Sequence, residues 1–200
     1  KHTLKMSSSK SYSRGLAGVV AGETAICTVG KKGMGLNYRG YGIIDVAARC
    51  CFEEVAFLLI YGHLPDTNEL AAYTDKLHRY RALPMGVRCV LELIPSSANA
   101  MDVLRTGCSI LGNYEPEADD PKDLDNALNQ YNIADRLIAS FGPMFLYWYH
   151  YHKSGAQIQT KTDATDSVAE NFVKLLNNDG KKPDPEIVKA IDTTLILYAE

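Results

Sequence analysis

Asp184-Pro185-Glu186-Ile187-Val188-Lys189-Ala190-Ile191-Asp192-Thr193-Thr194-Leu195-Ile196-Leu197-Tyr198-Ala199-Glu200 carries the periodicity of one amphipathic helix. Asp184 suits the N-cap, where a side-chain oxygen can accept from a free backbone amide, and Pro185 suits the first helical position. Ile187, Ile191, Thr194, Leu195 and Tyr198 then recur at i, i+4, i+7, i+8 and i+11, which predicts a continuous buried stripe. No Gly, Asn or Pro closes the segment, and its last four carbonyls have no partner within the helix. The expectation is a chain cut in mid-helix, leaving exposed apolar surface where further structure would dock.

Toward the N-terminus of this segment, the helical period recurs to about Ile44. Phe52–Tyr61 places Phe52, Val55, Leu58 and Leu59 on one side and stops at Gly62. Asp66 with Glu69 forms a capping-box signature for a helix reaching about Arg81. Further helices are predicted over Pro84–Leu93, Met101–Leu111, a long span Leu124–Lys153 bent near Gly142-Pro143, and Asp166–Asn177. Ser154-Gly155 and Asn178-Asp179-Gly180 are the expected stops. Glu115–Asp125, acidic and proline-containing, reads as a solvated loop. Only Gly15–Tyr41 looks β-like, with strand candidates Thr24–Val29 and Leu36–Arg39 around Gly30-Lys31-Lys32-Gly33-Met34-Gly35. That loop lacks the GxxxxGK[ST] order of a phosphate loop and is read as a hairpin turn. The fold class is therefore all-α with a small N-terminal β-hairpin. Residues 1–13 are expected to be a flexible tail and 14–200 part of one large domain.

With 46% hydrophobic residues in a chain of 200, a sizeable core can form. Twenty-one basic against 24 acidic side chains, with no basic stripe, argue against nucleic acid as a partner. The longest apolar run, Val55–Tyr61, is too short to span a membrane, and Lys1–Ser13 has no apolar core of a secretory signal. Cys27, Cys50, Cys51, Cys89 and Cys108 form an odd set without CxxC spacing, which predicts buried free thiols and a cytoplasmic location.

Residue chemistry alone yields no active site. His150 and His152 sit two apart on a helix, so their side chains diverge by about 200° and cannot share a metal. His63 and His78 have no partner at ligand spacing. Glu53-Glu54 could be an acid/base pair, but adjacent helical residues point about 100° apart, and a helix-start cap is favoured. Phe145, Tyr147, Trp148, Tyr149 and Tyr151 could bind a flat ligand, although helical spacing favours core or subunit contact.

Several blocks nevertheless resemble the citrate synthase family, in order and at family spacing. They are Gly15-Leu16-x-Gly18-Val19 with Thr24-Ala25, Tyr38-Arg39-Gly40-Tyr41, Phe52-Glu53-Glu54-Val55-Ala56, and Leu58-Leu59-x-x-Gly62-x-Leu64-Pro65 with Glu69-Leu70. Met101-Asp102-x-Leu104-Arg105-Thr106-Gly107 and Leu195-Ile196-Leu197-Tyr198-Ala199-Glu200 complete the set. Thr24–Tyr41, Leu146–Tyr151, Gln157-Ile158-Gln159 and Thr162-Asp163 are most similar to the 2-methylcitrate synthase group. This resemblance implies a dimeric enzyme condensing propionyl-CoA with oxaloacetate and water to 2-methylcitrate and CoA, with no metal or redox cofactor. An aspartate removes the α-proton of the thioester, one histidine stabilises the enol, and a second polarises the oxaloacetate carbonyl. The family's catalytic groups correspond to positions beyond Glu200, so no catalytic residue is expected in these 200 residues. Tyr198 is the one substrate-binding candidate, with a place on the core stripe as its equal alternative. Arg39 and Arg105 read as structural. An acetyl-CoA-using citrate synthase and a non-catalytic helical interaction module are the competing readings.

Overall fold

The computed structural model describes residues 15–16, 18–20, 22–30, 35–114 and 126–199. The predicted tail 1–13, the loop residues 31–34, the acidic loop 115–125 and Glu200 lie outside them.

In place of the two-stranded hairpin, three two-residue strands form an antiparallel sheet in the order β1 (Cys27–Thr28), β2 (Asn37–Tyr38), β3 (Tyr41–Gly42). Cys27 faces Tyr38 across one ladder, and Tyr38 faces Tyr41 across the other. The second turn escaped the sequence reading because its two central residues are Arg39-Gly40 rather than Asn-Gly. Both nevertheless have positive φ, 46° and 92°, as a tight two-residue hairpin turn requires.

Eight helices follow among the described residues: α1 (Ile43–Arg49), α2 (Phe52–Tyr61), α3 (Thr67–Tyr80), α4 (Met85–Leu93), α5 (Ala100–Gly112), α6 (Ala127–Ser154), α7 (Val168–Asn177) and α8 (Pro185–Leu197). Their ends obey local capping chemistry. Asp66 accepts from the Asn68 and Glu69 amides while the Glu69 carboxylate takes the Asp66 amide. Gly62 and Gly155 close α2 and α6 in the left-handed conformation, and Asn178 does the same for α7. Pro143 lies inside α6, which runs unbroken as one helix.

α6 is the spine, packed against α3, α4, α5 and α7. Ala139 joins one core cluster with Tyr38, Val55, Leu58, Leu77 and Ile196. A few residues on, Met144, Leu146 and Trp148 join a second with Val87, Leu91 and Val103.

The face of α8 differs from the predicted stripe. Ile187 and Tyr198 are 52% and 84% exposed, whereas Asp192 and Ile196 are buried. The helix is rotated toward its aspartate because that carboxylate caps another helix. Asp192 Oδ1 accepts the Phe52 amide, the first of α2, at 2.9 Å. An amide capped from 140 residues away leaves no local trace in the sequence. The end of α8 is not bare either, since the Ile196 carbonyl accepts a hydrogen bond from the buried Tyr38 phenol.

Candidate functional site

The last turn of α8 is the place where the expected substrate contact falls. Tyr198 follows the helix with its amide donating to Thr194 O, and its ring lies open to solvent. It therefore takes no part in the core. Behind it the backbone is held from the sheet, with Tyr38 Oη donating to Ile196 O at 2.9 Å. The next residue, Arg39, donates through Nη2 to Leu59 O in the last turn of α2 at 2.7 Å. One dipeptide thus supplies side-chain donors to carbonyls in the last turns of two helices, where backbone donors run short.

At the other end of α2, carboxylates take the corresponding amides. Glu54 accepts from the Cys51 amide at 2.7 Å, and Glu53 accepts from Val168, the first residue of α7, at 2.6 Å. Neither glutamate is arranged as half of an acid/base pair; Glu54 caps the start of its own helix, as expected of one of the two, and Glu53 caps the start of α7 instead. Burial raises the Glu53 pKa above the ordinary value of 4.5, opposed by the hydrogen bond from Val168 and reinforced by nearby Asp192. An acid whose folded-state pKa is raised binds its proton more tightly folded than unfolded. Its contribution to stability is fully present below the unfolded value and is lost as pH rises through the folded one. Glu53→Gln should therefore remove a downward slope in unfolding free energy above about pH 4.5, seen as urea midpoints that vary less with pH. A slope unchanged by the substitution would refute this role.

The remaining sequence candidates are structural. His150 Nε2 lies 2.8 Å from Leu175 O, His152 Nε2 lies 3.5 Å from Leu91 O, and His78 Nε2 lies 3.0 Å from Thr162 O. His63, for which the sequence offered no partner, meets the Glu69 carboxylate at 3.2 Å, close to the α3 start. Among the described residues no group of three His, Cys, Asp or Glu side chains is placed to hold a metal. Arg105 pairs with Asp102 one turn back on the surface of α5. In the aromatic run, Tyr147 donates to Glu92 and the Trp148 indole to Ile94 O, and both rings belong to the second core cluster.

All five cysteines are free, but the expected burial is corrected: Cys89 is exposed and the others are half-buried. α4 turns Val87 and Leu91 inward, which sends Cys89 outward. Burial pushes the Cys51 thiol up to about 12, with Glu53 adding to the effect, and burial raises Cys50 as well. Both stay protonated near neutral pH and are poor nucleophiles.

Two concavities flank these elements. An apolar groove of about 480 Å³ lies between α5, α6, α7 and α8, lined by Phe52, Leu104, Phe141, Phe172, Ile191 and Thr194 among others. A polar one of about 670 Å³ surrounds Lys174, whose ammonium already binds Asp163 and Asp166 at 3.0 and 2.6 Å.

With this geometry in place, residues 15–200 match the family described as citrate synthase, C-terminal domain. The chain belongs to the citrate synthase family. It is 48% identical over 186 residues to 2-methylcitrate synthase of Shewanella oneidensis, a match covering 93% of this chain and 47% of that protein. A citrate synthase-related protein of Dictyostelium discoideum is 42% identical over 196 residues, covering 90% of this chain and 45% of the other. In three dimensions, the crystal structure of citrate synthase from Pyrobaculum aerophilum matches with a TM-score of 0.80 at 26% identity, covering 100% of this chain and 52% of that one. The chain thus spans about half the length of the relatives it matches.

Proposed function

We propose that this chain is the scaffold part of a 2-methylcitrate synthase, joining propionyl-CoA, oxaloacetate and water into 2-methylcitrate and free CoA. The observation that carries the reading is the extent of likeness to the Shewanella enzyme, which runs through nearly every described element. In the reaction a carboxylate takes a proton from the thioester α-carbon. The enol so formed attacks the oxaloacetate carbonyl, and water then cleaves the thioester to release CoA. We place the reacting histidines and aspartate in sequence following Glu200, with Tyr198 lining the acyl or oxaloacetate end. Coenzyme A enters as part of the substrate, and the chemistry calls for no metal or redox cofactor.

The proposed assembly is a homodimer in the cytoplasm. Its support is an open apolar row on α4, with Met85 and Leu93 exposed at 72% and 82% and Cys89 between them. Free thiols suit a reducing compartment. No described helix is long and apolar enough to cross a membrane.

An acetyl-CoA-using citrate synthase is the second reading, favoured by the family description and by the Pyrobaculum neighbour. One methylene in an apolar pocket shifts selectivity by about 10–200-fold. The complete enzyme should accordingly show a kcat/KM for propionyl-CoA above that for acetyl-CoA by a factor in this range, measured as thiol release. A ratio inverted toward acetyl-CoA would replace the first reading with the second. The 200 residues alone should release no CoA from either thioester.

A further inference from the structure

The dipeptide Tyr38-Arg39 does more than close a hairpin. We infer that Tyr38 is the positioning residue for the substrate-facing end of α8, fixing the direction in which Leu197–Ala199 leave the helix. This rests on the reading above, in which Tyr198 lines the substrate pocket.

Tyr38 is fully buried, and its phenol is aimed at a backbone carbonyl 158 residues away. That carbonyl, Ile196 O, belongs to the last turn of α8, where helical geometry supplies too few amide donors. Its backbone donors are the Ala199 amide, at a longer 3.3 Å, and the Tyr198 amide, which is shared with Thr194 O. Ile196 is packed in the first core cluster with Leu195 and Ala199 against it, and the phenol adds to that non-directional packing a directional bond from a distant side chain to this turn.

The holder is itself held. β2 pairs Tyr38 with Cys27 on one side and Tyr41 on the other. Arg39 adopts a left-handed φ of 46°, uncommon for a residue with a side chain, and its guanidinium grips Leu59 O. Tyr38 cannot shift without disturbing this second grip, so the α8 end is referenced to the α2 end. Asp192, one turn earlier on the same face, ties α8 to the α2 start. Two anchors at i and i+4 set both the rotation and the axial position of the helix.

The test uses Tyr38→Phe in the complete protein, which keeps the ring in the core and removes one oxygen. Tyr73→Phe is the matched control, removing a buried phenol that bonds Asp135 instead. In hydrogen exchange, the amides of Leu197–Ala199 should exchange about 3- to 10-fold faster in Tyr38→Phe and stay unchanged in Tyr73→Phe. In steady-state kinetics well below the melting temperature, kcat/KM should fall by a similar factor in Tyr38→Phe only, carried by KM. Loss of folded enzyme leaves KM untouched, so this split separates positioning from stability. Unchanged exchange at Leu197–Ala199, or equal acceleration in the control, overturns the inference. Faster exchange with an unaltered KM would uphold the anchor and remove Tyr198 from the substrate pocket.

Discussion

Replacing Asp135 by asparagine is expected to lower the unfolding free energy by about 1.5–3 kcal/mol, the cost of losing charge-assisted hydrogen bonds at a buried carboxylate whose partner Lys76 is partly open to water. Asp135 is fully buried on α6 and faces donors only. Tyr61 Oη lies 2.7 Å from Oδ2, Tyr73 Oη 3.0 Å from Oδ1, and Lys76 Nζ 2.5 Å from Oδ2. Burial opposes the Lys76 charge, but hydrogen bonds to Asp135 and Tyr61 hold its pKa above the usual range. Asparagine preserves the volume and offers one acceptor oxygen where two were used. Its amide nitrogen must then point at a donor, either the Tyr73 phenol or the pair formed by Tyr61 and Lys76. Since α2, α3 and α6 meet at this carboxylate, the loss falls on the joint between three helices. Urea denaturation measures it directly, and a change below about 1 kcal/mol would mean that water or a rotamer shift satisfies the donors.

The second large effect lies in the other core cluster, where α4, α5 and α6 meet. Leu91→Ala should cost about 2–5 kcal/mol, because Leu91 is fully buried and its removal leaves a cavity against a rigid surround. The same joint contains Gly107, which serves there for space rather than for backbone freedom. A Cβ there would lie 2.7 Å from Met144 Sδ and 3.7 Å from Leu91 Cδ2. Gly107→Ala alone should therefore overpack the joint, at about 1–3 kcal/mol. Combined with Leu91→Ala it should cost less, since the vacated volume lets the flexible Met144 side chain move aside. A double-mutant cycle should give a favourable coupling of about 0.5–3 kcal/mol. Strict additivity would show that Met144 and Leu91 do not share the space around Gly107.

Where the chain's own local chemistry decides an element, the sequence was readable. α3 follows from the Asp66–Glu69 box, and the stops at Gly62, Gly155 and Asn178 follow from left-handed caps. The long α6 was legible from period alone. What stayed hidden depends on groups distant in the chain. The rotation of α8 is set by Asp192 capping α2, so a stripe drawn from hydrophobicity put Ile187 and Tyr198 on the wrong side. Glu53 reads in sequence as half of an acid/base pair or a cap near its own helix start, yet it caps α7 across 115 residues. The third strand was missed because a two-residue strand after Arg39-Gly40 carries almost no pattern. Tyr198 enters as a substrate-contact candidate through family likeness alone, and the phenol behind it, held to Ile196 O, had no separate signal.

The bonds from Tyr38 to Ile196 and from Phe52 to Asp192 also set an order of assembly during synthesis. A nascent polypeptide grown as far as Asn177 already contains the sheet and α2, yet the Phe52 amide and the Tyr38 hydroxyl still await the partners they have in the finished structure. The first-made layer is completed only when a late-made helix emerges from the ribosome and returns to it. Such closure over long sequence separations is entropically slow. Pausing translation before Asp192 is added should leave the early region open to protease, and release of the pause should protect it.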